Sequence, residues 1–251
     1  MIQRDFSDGV ARLTLDSPHN RNALSTQLLT ELNAGLQDAL GDDRIRVIVL
    51  TGNGPVFCSG ADLKEQREYK ERGEESPVAD LLVSALRTIL DSPKPVVARV
   101  NGHARAGGLG LIGAADIAIA PREATFGFAE VRLGLVPAVI AVTCVPRMTE
   151  RAALELFLTG ENFDATRAQA IGLINRAVDD LDAETDRYLD MLRLGGPNAL
   201  AAIKPMLSTV REHAPAFSQM AELSTRTFAS DEGQEGLRSF AEKRKPNWVS
   251  G

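Results

Sequence analysis

The alternation of hydrophobic and polar positions predicts β-strands in the first half of the chain. Residues 10–15 (VARLTL) alternate with a period of two, as expected for a strand with one buried face. Two β-branched runs, 46–52 (RVIVLTG) and 95–100 (PVVARV), are apolar almost throughout and predict buried strands. The shorter run 117–120 (IAIA) predicts a further strand.

Apolar residues at helical spacing predict helices between these strands. Ser25 precedes leucines that recur every three or four positions through Leu40, so it is the expected N-cap of a helix. A second helix is expected over 76–90, with proline in its first turn. The polar residues 66–76 (QREYKERGEES) are interpreted as a surface loop.

The pattern becomes mostly helical after residue 149, where Thr149 and Asp164 are expected N-caps. Because strands dominate the middle and helices the end, we expect a mixed α/β core over 1–180 and a helical region over 181–251. Several apolar side chains of the helical region exceed what one thin layer could bury, which predicts self-association. They are Leu189, Leu192, Leu200, Ile203, Met206 and Leu207.

Composition and charge exclude several classes of protein. A length of 251 residues suits one α/β domain with a helical addition. The net charge of -6 argues against non-specific nucleic-acid binding. No apolar run approaches the roughly 20 residues that span a membrane, and no signal peptide is evident, so a cytoplasmic location is expected. Cys58 and Cys144 are expected to be buried free thiols, and the three scattered histidines predict no metal site.

Two turns after predicted strands have main chain that a ligand could approach closely. In FCSGADLKE (57–65) the small residues Gly60 and Ala61 follow the strand end. In NGHARAGGLGL (101–111) Gly107 and Gly108 open a short apolar helix, whose free N–H groups would stabilise negative charge. The simpler interpretation of both turns is close packing of strand and helix.

The second turn also satisfies G-x-G-x-x-G at Gly108, Gly110 and Gly113. We reject a dinucleotide site, because the helix is too short and the next strand ends in Pro121-Arg122 rather than an acidic residue.

A lone carboxylate in an apolar stretch is the candidate acid/base. Glu130 stands between Ala129 and Val131 in TFGFAEVRLGLVP (125–137), surroundings that should raise its pKa and suit it to proton transfer. The alternative is a structural ion pair with Arg132 or another basic residue.

Six stretches together resemble the crotonase (enoyl-CoA hydratase/isomerase) superfamily, in the family order and across essentially the whole chain. They are RNAL (21–24), F-x-S-G-A-D-L (57–63), NGHARAGG (101–108), AADIAIA (114–120), TFGFAEVRLGLVP (125–137) and EGLRSFAEKRKPNW (235–248). The resemblance implies an α/β spiral of ββα units followed by a C-terminal helical trimerisation region. It also implies an acyl-CoA substrate, no separate cofactor, and a homotrimer or dimer of trimers.

The resemblance implies a role for individual residues as well. Ala61 and Gly107 would supply the N–H groups of an oxyanion hole, with Glu130 as the acid/base. The substrate-binding residues would be Arg21, Ala23, Leu24, Gly60, Asp62, Leu63, Gly108, Gly110, Phe240 and Lys243. Of these, Phe240 and Lys243 match positions that often reach the site of a neighbouring subunit.

The chain departs from the family at the second catalytic position. The best-known hydratases carry two glutamates, and the second falls here at Gly110. The glycine-rich turn that usually follows the proline is also apolar, at Ala138, Val139 and Ile140. Hydration is the first expectation, because it is the commonest family activity.

Several alternatives to hydration stay open. Double-bond isomerisation would need Glu130 alone. Cleavage of a substrate that brings its own acid or base, and a catalytically inactive acyl-CoA binder, are further possibilities. A cysteine hydrolase using Cys58 and His103 is the competing class.

Overall fold

The computed structural model describes residues 1–212 and 230–249, without the side chains of residues 211, 212, 240 and 241. The strands are β1 (Ile2–Ser7), β2 (Val10–Leu15), β3 (Val47–Gly52), β4 (Val56–Cys58), β5 (Val96–Arg99), β6 (His103–Arg105), β7 (Ile117–Pro121), β8 (Thr125–Gly127), β9 (Phe163–Asp164) and β10 (Arg176–Val178).

The helices alternate with these strands and then dominate the end of the chain. They are α1 (Thr26–Gly41), α2 (Leu63–Arg72), α3 (Val78–Asp91), α4 (Gly107–Ala114), α5 (Ala138–Cys144), α6 (Glu150–Thr159), α7 (Ala165–Ala170), α8 (Leu181–Leu194), α9 (Pro197–Glu212) and α10 (Asp231–Ala241). Short 3-10 turns occupy Pro18–Asn20, Ala129–Leu133 and Val145–Arg147. No helix within the described ranges is long and apolar enough to cross a membrane.

The strands form two sheets that grow together along the chain. The larger sheet has the order β1-β2-β3-β5-β7-β10, and the smaller has the order β4-β6-β8-β9. From β3 to β8 successive strands alternate between the sheets, so that β3-β4, β5-β6 and β7-β8 are each followed by helix. The fold is therefore the predicted mixed α/β spiral of ββα units followed by helices, which confirms the expected fold class.

The main hydrophobic core fills the space between the sheets and the helices. The larger sheet contributes Leu13, Ile48 and Ala98 to this core, α1 contributes Leu29, and the smaller sheet contributes Phe126. A second cluster covers the other face of the larger sheet, where Leu189 of α8 packs with strand residues such as Val49. Helix α8 thus completes the coverage of this sheet, as a sheet buried on both faces requires.

The predicted strands and most predicted helices are confirmed, with one clear error. Residues 66–76 were expected to be a loop, but α2 occupies Leu63–Arg72. The segment was interpreted as a loop because it is polar. Lysine, glutamate, glutamine and arginine are nevertheless good helix formers, and they suit a solvent-exposed helix. Asp62 caps this helix by accepting from the N–H groups of Lys64 and Glu65, and Gly73 ends it in a left-handed conformation.

Candidate active site

Three strands of the smaller sheet bring the three candidate catalytic residues to one edge. Strand β6 pairs in parallel with both β4 and β8, so their carboxyl ends meet at the same edge. Ala61, Gly107 and Glu130 each follow one of these strands within three residues. The order of strands, rather than proximity in the chain, therefore assembles the site.

The N–H group of Ala61 points away from its neighbouring segment. A parallel bridge joins Leu24 to Ala61, with Leu24 N–H donating to Gly60 O at 2.7 Å and Asp62 N–H donating to Leu24 O at 3.2 Å. In this pattern the residues before and after Ala61 make the bonds to Leu24, and its own N–H faces the opposite side. That N–H is available to a ligand.

The N–H group of Gly107 stands beside the same turn at the start of α4. The first N–H groups of a helix have no intrahelical acceptor. A β-carbon built on Gly60 would lie 3.6 Å from the Gly107 nitrogen, which places the two turns in contact. Gly60 itself has a φ of +90°, a conformation that disfavours any side chain there. The turns that carry the N–H groups of Ala61 and Gly107 are therefore adjacent.

Ala106 holds a strained backbone immediately before Gly107. Its φ of 49° and ψ of -121° lie in a region that glycine adopts readily and alanine rarely. The strained residue is thus the N-cap of the helix that begins with Gly107.

Glu130 has the environment of a proton carrier. Its side chain is partly buried in the 3-10 turn Ala129–Leu133, and its buried Oε2 has no hydrogen-bond partner in the described part of the chain. Burial raises the pKa of Glu130 above its ordinary value of 4.5. The alternative ion pair between Glu130 and Arg132 is not formed, because Arg132 Nε donates instead to Thr159 O at 3.3 Å.

Gly110 does not leave an open space in the site. A β-carbon built there would lie 2.6 Å from Ile140 Cγ2 and 3.6 Å from Leu86 Cδ1. Ile140, which belongs to α5, fills the volume into which a side chain at position 110 would extend. The apolar turn after Pro137 therefore fills the space that a glutamate side chain at position 110 would need.

The segment 21–24 lies against the turn that carries Ala61. Ser59 N–H donates to Arg21 O at 3.1 Å, while Ala23 and Leu24 are buried and Arg21 is exposed. Asn22 was not among the predicted site residues, yet it fixes this segment. Its buried amide accepts from Ser17 N–H at 2.8 Å and donates to the carbonyls of Asn53 and Val56.

The remaining predicted residues of the first two turns differ in exposure. Leu63 is exposed on the first turn of α2, and Asp62 is partly exposed and occupied as its N-cap. Gly108 is buried, and a β-carbon on it would lie 2.8 Å from Cys58 Cβ. Gly108 therefore serves the packing of α4 on β4, which was the simpler interpretation of that glycine.

The C-terminal candidates are only partly described. The side chain of Phe240 lies outside the described residues, and Lys243 is exposed in the turn after α10. Trp248 anchors this stretch at the amino end of β3, where its carbonyl accepts from Arg46 at 2.8 Å. Since the candidate site lies beyond the carboxyl ends of β4, β6 and β8, this anchor is not at that edge.

The competing cysteine-hydrolase arrangement lacks its geometry. Cys58 is fully buried, and burial raises the pKa of its thiol to about 12. His103 is exposed, and its Nδ1 bonds to Thr125 at 3.0–3.1 Å. Neither group is placed to activate the other.

The fold and the site together define a class of protein: a two-sheet ββα spiral that presents two main-chain N–H donors and one carboxylate at a single edge. The family model for enoyl-CoA hydratase/isomerase matches residues 5–251. The chain belongs to this family, also called the crotonases.

Named relatives cover nearly the whole chain. It is 33% identical to mouse mitochondrial enoyl-CoA hydratase domain-containing protein 3, over 96% of this chain and 82% of the relative. It is 34% identical to enoyl-CoA hydratase EchA19 of Mycobacterium tuberculosis, over 94% of this chain and 91% of the relative.

Solved structures agree with this assignment. An enoyl-CoA hydratase/isomerase from Marinobacter aquaeolei superposes with a TM-score of 0.91 at 30% identity, covering 99% of each chain. An enoyl-CoA hydratase from Shewanella pealeana superposes with a TM-score of 0.90 at 33% identity, covering 98% of this chain and 95% of that one.

Proposed function

We propose that the chain is an acyl-CoA enzyme that moves protons beside an oxyanion-stabilised thioester enolate, with Glu130 as its one carboxylate. The observation that carries this proposal is the buried Oε2 of Glu130, which has no hydrogen-bond partner among the described residues and lies at the edge that Ala61 and Gly107 share. A carboxylate that pays a desolvation cost without a partner fits a group that exchanges a proton with substrate.

Double-bond isomerisation is the reaction that one carboxylate can complete. Glu130 takes a proton from the α-carbon of a 3-enoyl thioester, and the electron pair spreads over a dienolate onto the thioester oxygen. The N–H groups of Ala61 and Gly107 stabilise that oxygen, by about 3 to 4 kcal/mol per donor in comparable oxyanion holes. Glu130, whose partly exposed carboxyl group exchanges its proton with the solvent, then protonates the γ-carbon, which leaves the 2-enoyl thioester.

Hydration is the second candidate, and the names of the relatives favour it. EchA19 of Mycobacterium tuberculosis is called an enoyl-CoA hydratase. In this chain Glu130 would have to activate water and also supply the α-proton, since position 110 carries no acid. The place of Ile140 beside Gly110 weighs toward isomerisation.

Incubation with enoyl-CoA esters in heavy water separates these reactions by mass. Isomerisation exchanges deuterium without adding water, hydration adds the mass of one water, and an inactive binder does neither. We expect exchange from the wild type. Exchange and hydration both absent from a panel of short- to long-chain 2- and 3-enoyl thioesters would refute the proposed function.

Glu130→Gln tests the assignment of the proton carrier in the same assay. Removing a general acid/base costs roughly 100-fold or more, so we expect turnover to fall by that factor while CoA-ester binding is nearly retained. The matched control is Glu123→Gln, an exposed carboxylate in the turn before β8, which should keep wild-type turnover. Turnover of Glu130→Gln within a few-fold of wild type would remove Glu130 from the mechanism.

We further propose that the substrate is bound by main-chain and side-chain groups of the segments 21–24 and 60–63, and that the chain works as a homotrimer or dimer of trimers in the cytoplasm. The family membership and the exposed apolar side chains described below support the assembly. Phe240 and Lys243 would then reach a neighbouring subunit's site.

A further inference from the structure

Ile140 lies where a side chain at position 110 would extend into the candidate site. A β-carbon on Gly110 would stand 2.6 Å from Ile140 Cγ2 and 3.2 Å from Ile140 Cβ. Both residues are buried, as is Leu86 on the adjacent wall. The space one turn after Gly107 is therefore occupied by aliphatic carbon.

The position of Ile140 is held by the residues that follow it in α5. Thr143 Oγ1 donates to Gly110 O at 3.0 Å, and Cys144 Sγ donates to Leu109 O at 3.2 Å. A β-carbon on Gly113 would lie only 2.9 Å from the Thr143 carbonyl, so the two helices touch backbone to backbone. These contacts hold Ile140 in a fixed position against α4.

The aliphatic side chains on this side of the site offer nothing to hold a water molecule. The side chains nearest to Gly107 are those of Leu24 and Leu82, and those nearest to Gly110 are Ile140 and Leu86. An ordered water needs two to four polar partners, and these four side chains supply none. A nucleophilic water beside the reacting carbons is disfavoured on this side.

We propose that Ile140 is a specificity-determining residue, which excludes water from the reacting carbons and so directs the enolate toward proton return rather than hydration. This inference rests on the proposed function at Glu130. It explains why Gly110 and Ile140 occur together: the small residue on α4 makes room for the branched one on α5.

The test compares the ratio of hydrated to deuterium-exchanged product for wild type, Ile140→Thr and Val142→Ala. Threonine keeps the branched shape of Ile140 and adds one hydroxyl beside Gly110. One new hydrogen bond to water should raise the ratio by about twofold to tenfold. Val142 is exposed on the same helix, so Val142→Ala is the matched control and should keep the wild-type ratio.

A second pair of variants tests whether Ile140 occupies the space that a side chain at position 110 needs. Gly110→Glu alone should lower the midpoint of thermal unfolding and gain no hydration, because its side chain collides with Ile140. Combining it with Ile140→Gly should restore the room and raise hydration by about 100-fold, the usual contribution of a second acid/base.

Two results would overturn the role of Ile140: a folded Ile140→Thr with the ratio of wild type, or a Gly110→Glu single variant that folds normally and hydrates. Either can occur while the wild type still exchanges deuterium through Glu130. A wild type without exchange or hydration contradicts the proposed function instead, so the two failures are distinguishable. If the double variant does not fold, Ile140→Thr decides alone.

Discussion

At the level of single residues, the surroundings of Glu130 destabilise the charged form of its carboxyl group in the native state. Burial raises its pKa above 4.5, and no hydrogen bond to Oε2 offsets the loss of water among the described residues. Glu31 shows the opposite arrangement, because the N-terminal ammonium group and Gln27 lower its pKa to about 2. The two carboxylates therefore make predictions of opposite sign.

We expect Glu130→Gln to raise the free energy of unfolding at neutral pH. A carboxylate with a raised folded-state pKa penalises the native state above that pKa, and the penalty disappears as pH falls through it toward 4.5. The advantage of the variant should therefore vanish in acid. Urea unfolding at several pH values measures it.

Glu31→Gln is the control for this pH dependence. Its lowered folded-state pKa stabilises the native state above pH 4.5 and loses that contribution as pH falls through about 2. The variant should therefore be less stable than wild type at neutral pH and approach it in acid. A gain in the free energy of unfolding of Glu130→Gln that did not change with pH would contradict a native state destabilised by the buried charge of Glu130.

Ala106→Gly should stabilise the protein. Holding alanine at a φ of 49° and ψ of -121° costs on the order of 1–3 kcal/mol. The added flexibility of glycine in the unfolded chain costs only about 0.5–1 kcal/mol, so relief of strain wins. Thermal or urea unfolding should show a gain of about 1 kcal/mol, and a loss of stability would show that the alanine methyl group contributes more than the strain it causes.

The candidate site residues were easier to single out in the sequence than the residues that position them. A glycine pair after a strand and a lone glutamate in an apolar run were visible as such in the printed chain. Asn22 and Ile140 were not, because an asparagine in RNAL and an isoleucine in an apolar turn look like ordinary loop and core residues. Only the folded contacts across 30 or so positions show what each one touches.

At the level of elements, the pairing of β4, β6 and β8 does most to create the site. These strands have three residues each, too few for periodicity to identify them. The longer strands β2, β3, β5 and β7 were predicted because their alternation or β-branched runs are unmistakable. The sequence therefore indicated the larger sheet more clearly than the smaller sheet, which positions the candidate catalytic groups.

The contact between α4 and α5 depends on glycine at position 113. A methyl group there would lie 2.9 Å from the carbonyl carbon and oxygen of Thr143 and 3.1 Å from the Cys144 nitrogen, so α5 would have to move. Overpacking of this kind costs about 1–3 kcal/mol. We expect Gly113→Ala to lower the free energy of unfolding by that amount and to reduce turnover, because α5 carries Ile140.

Gly41→Ala is the matched control for this contact. Gly41 is the last residue of α1, with no atom within 4 Å of the β-carbon position. Alanine is the better helix former, so stability should be unchanged or raised by up to about 1 kcal/mol. Equal losses of stability in both variants would show that the α4–α5 contact is no more sensitive to an added methyl group than the end of α1 is.

At the level of the whole molecule, an exposed apolar groove lies among residues that follow Glu130 in the chain. Val136 is 83% exposed and Leu158 is 72% exposed, and both line one groove with Leu135 and Leu154. We call these four residues the apolar groove. Among the six apolar residues that one layer was expected not to bury, Leu189 packs on the larger sheet, whereas Ile203 and Leu207 are exposed in the single chain.

A contiguous apolar surface of this kind is typical of an interface between subunits rather than of a monomer's surface. We therefore expect light scattering at micromolar concentration to give the mass of a homotrimer or hexamer of the 27.0 kDa chain. Val136→Lys combined with Leu158→Lys places two charges in the apolar groove. Because burying unpaired charges costs several kcal/mol, this variant should dissociate into folded monomers.

The control for dissociation is Leu63→Lys, which changes an exposed leucine outside the apolar groove and should keep the wild-type mass. If residues near position 240 complete a neighbouring site, the dissociated variant should also lose turnover, although Glu130, Ala61 and Gly107 are untouched. A wild type that is a monodisperse monomer would refute the predicted assembly. A dissociated variant with full turnover would instead refute the completion of the site by a second subunit, and would place every group needed for catalysis within one chain.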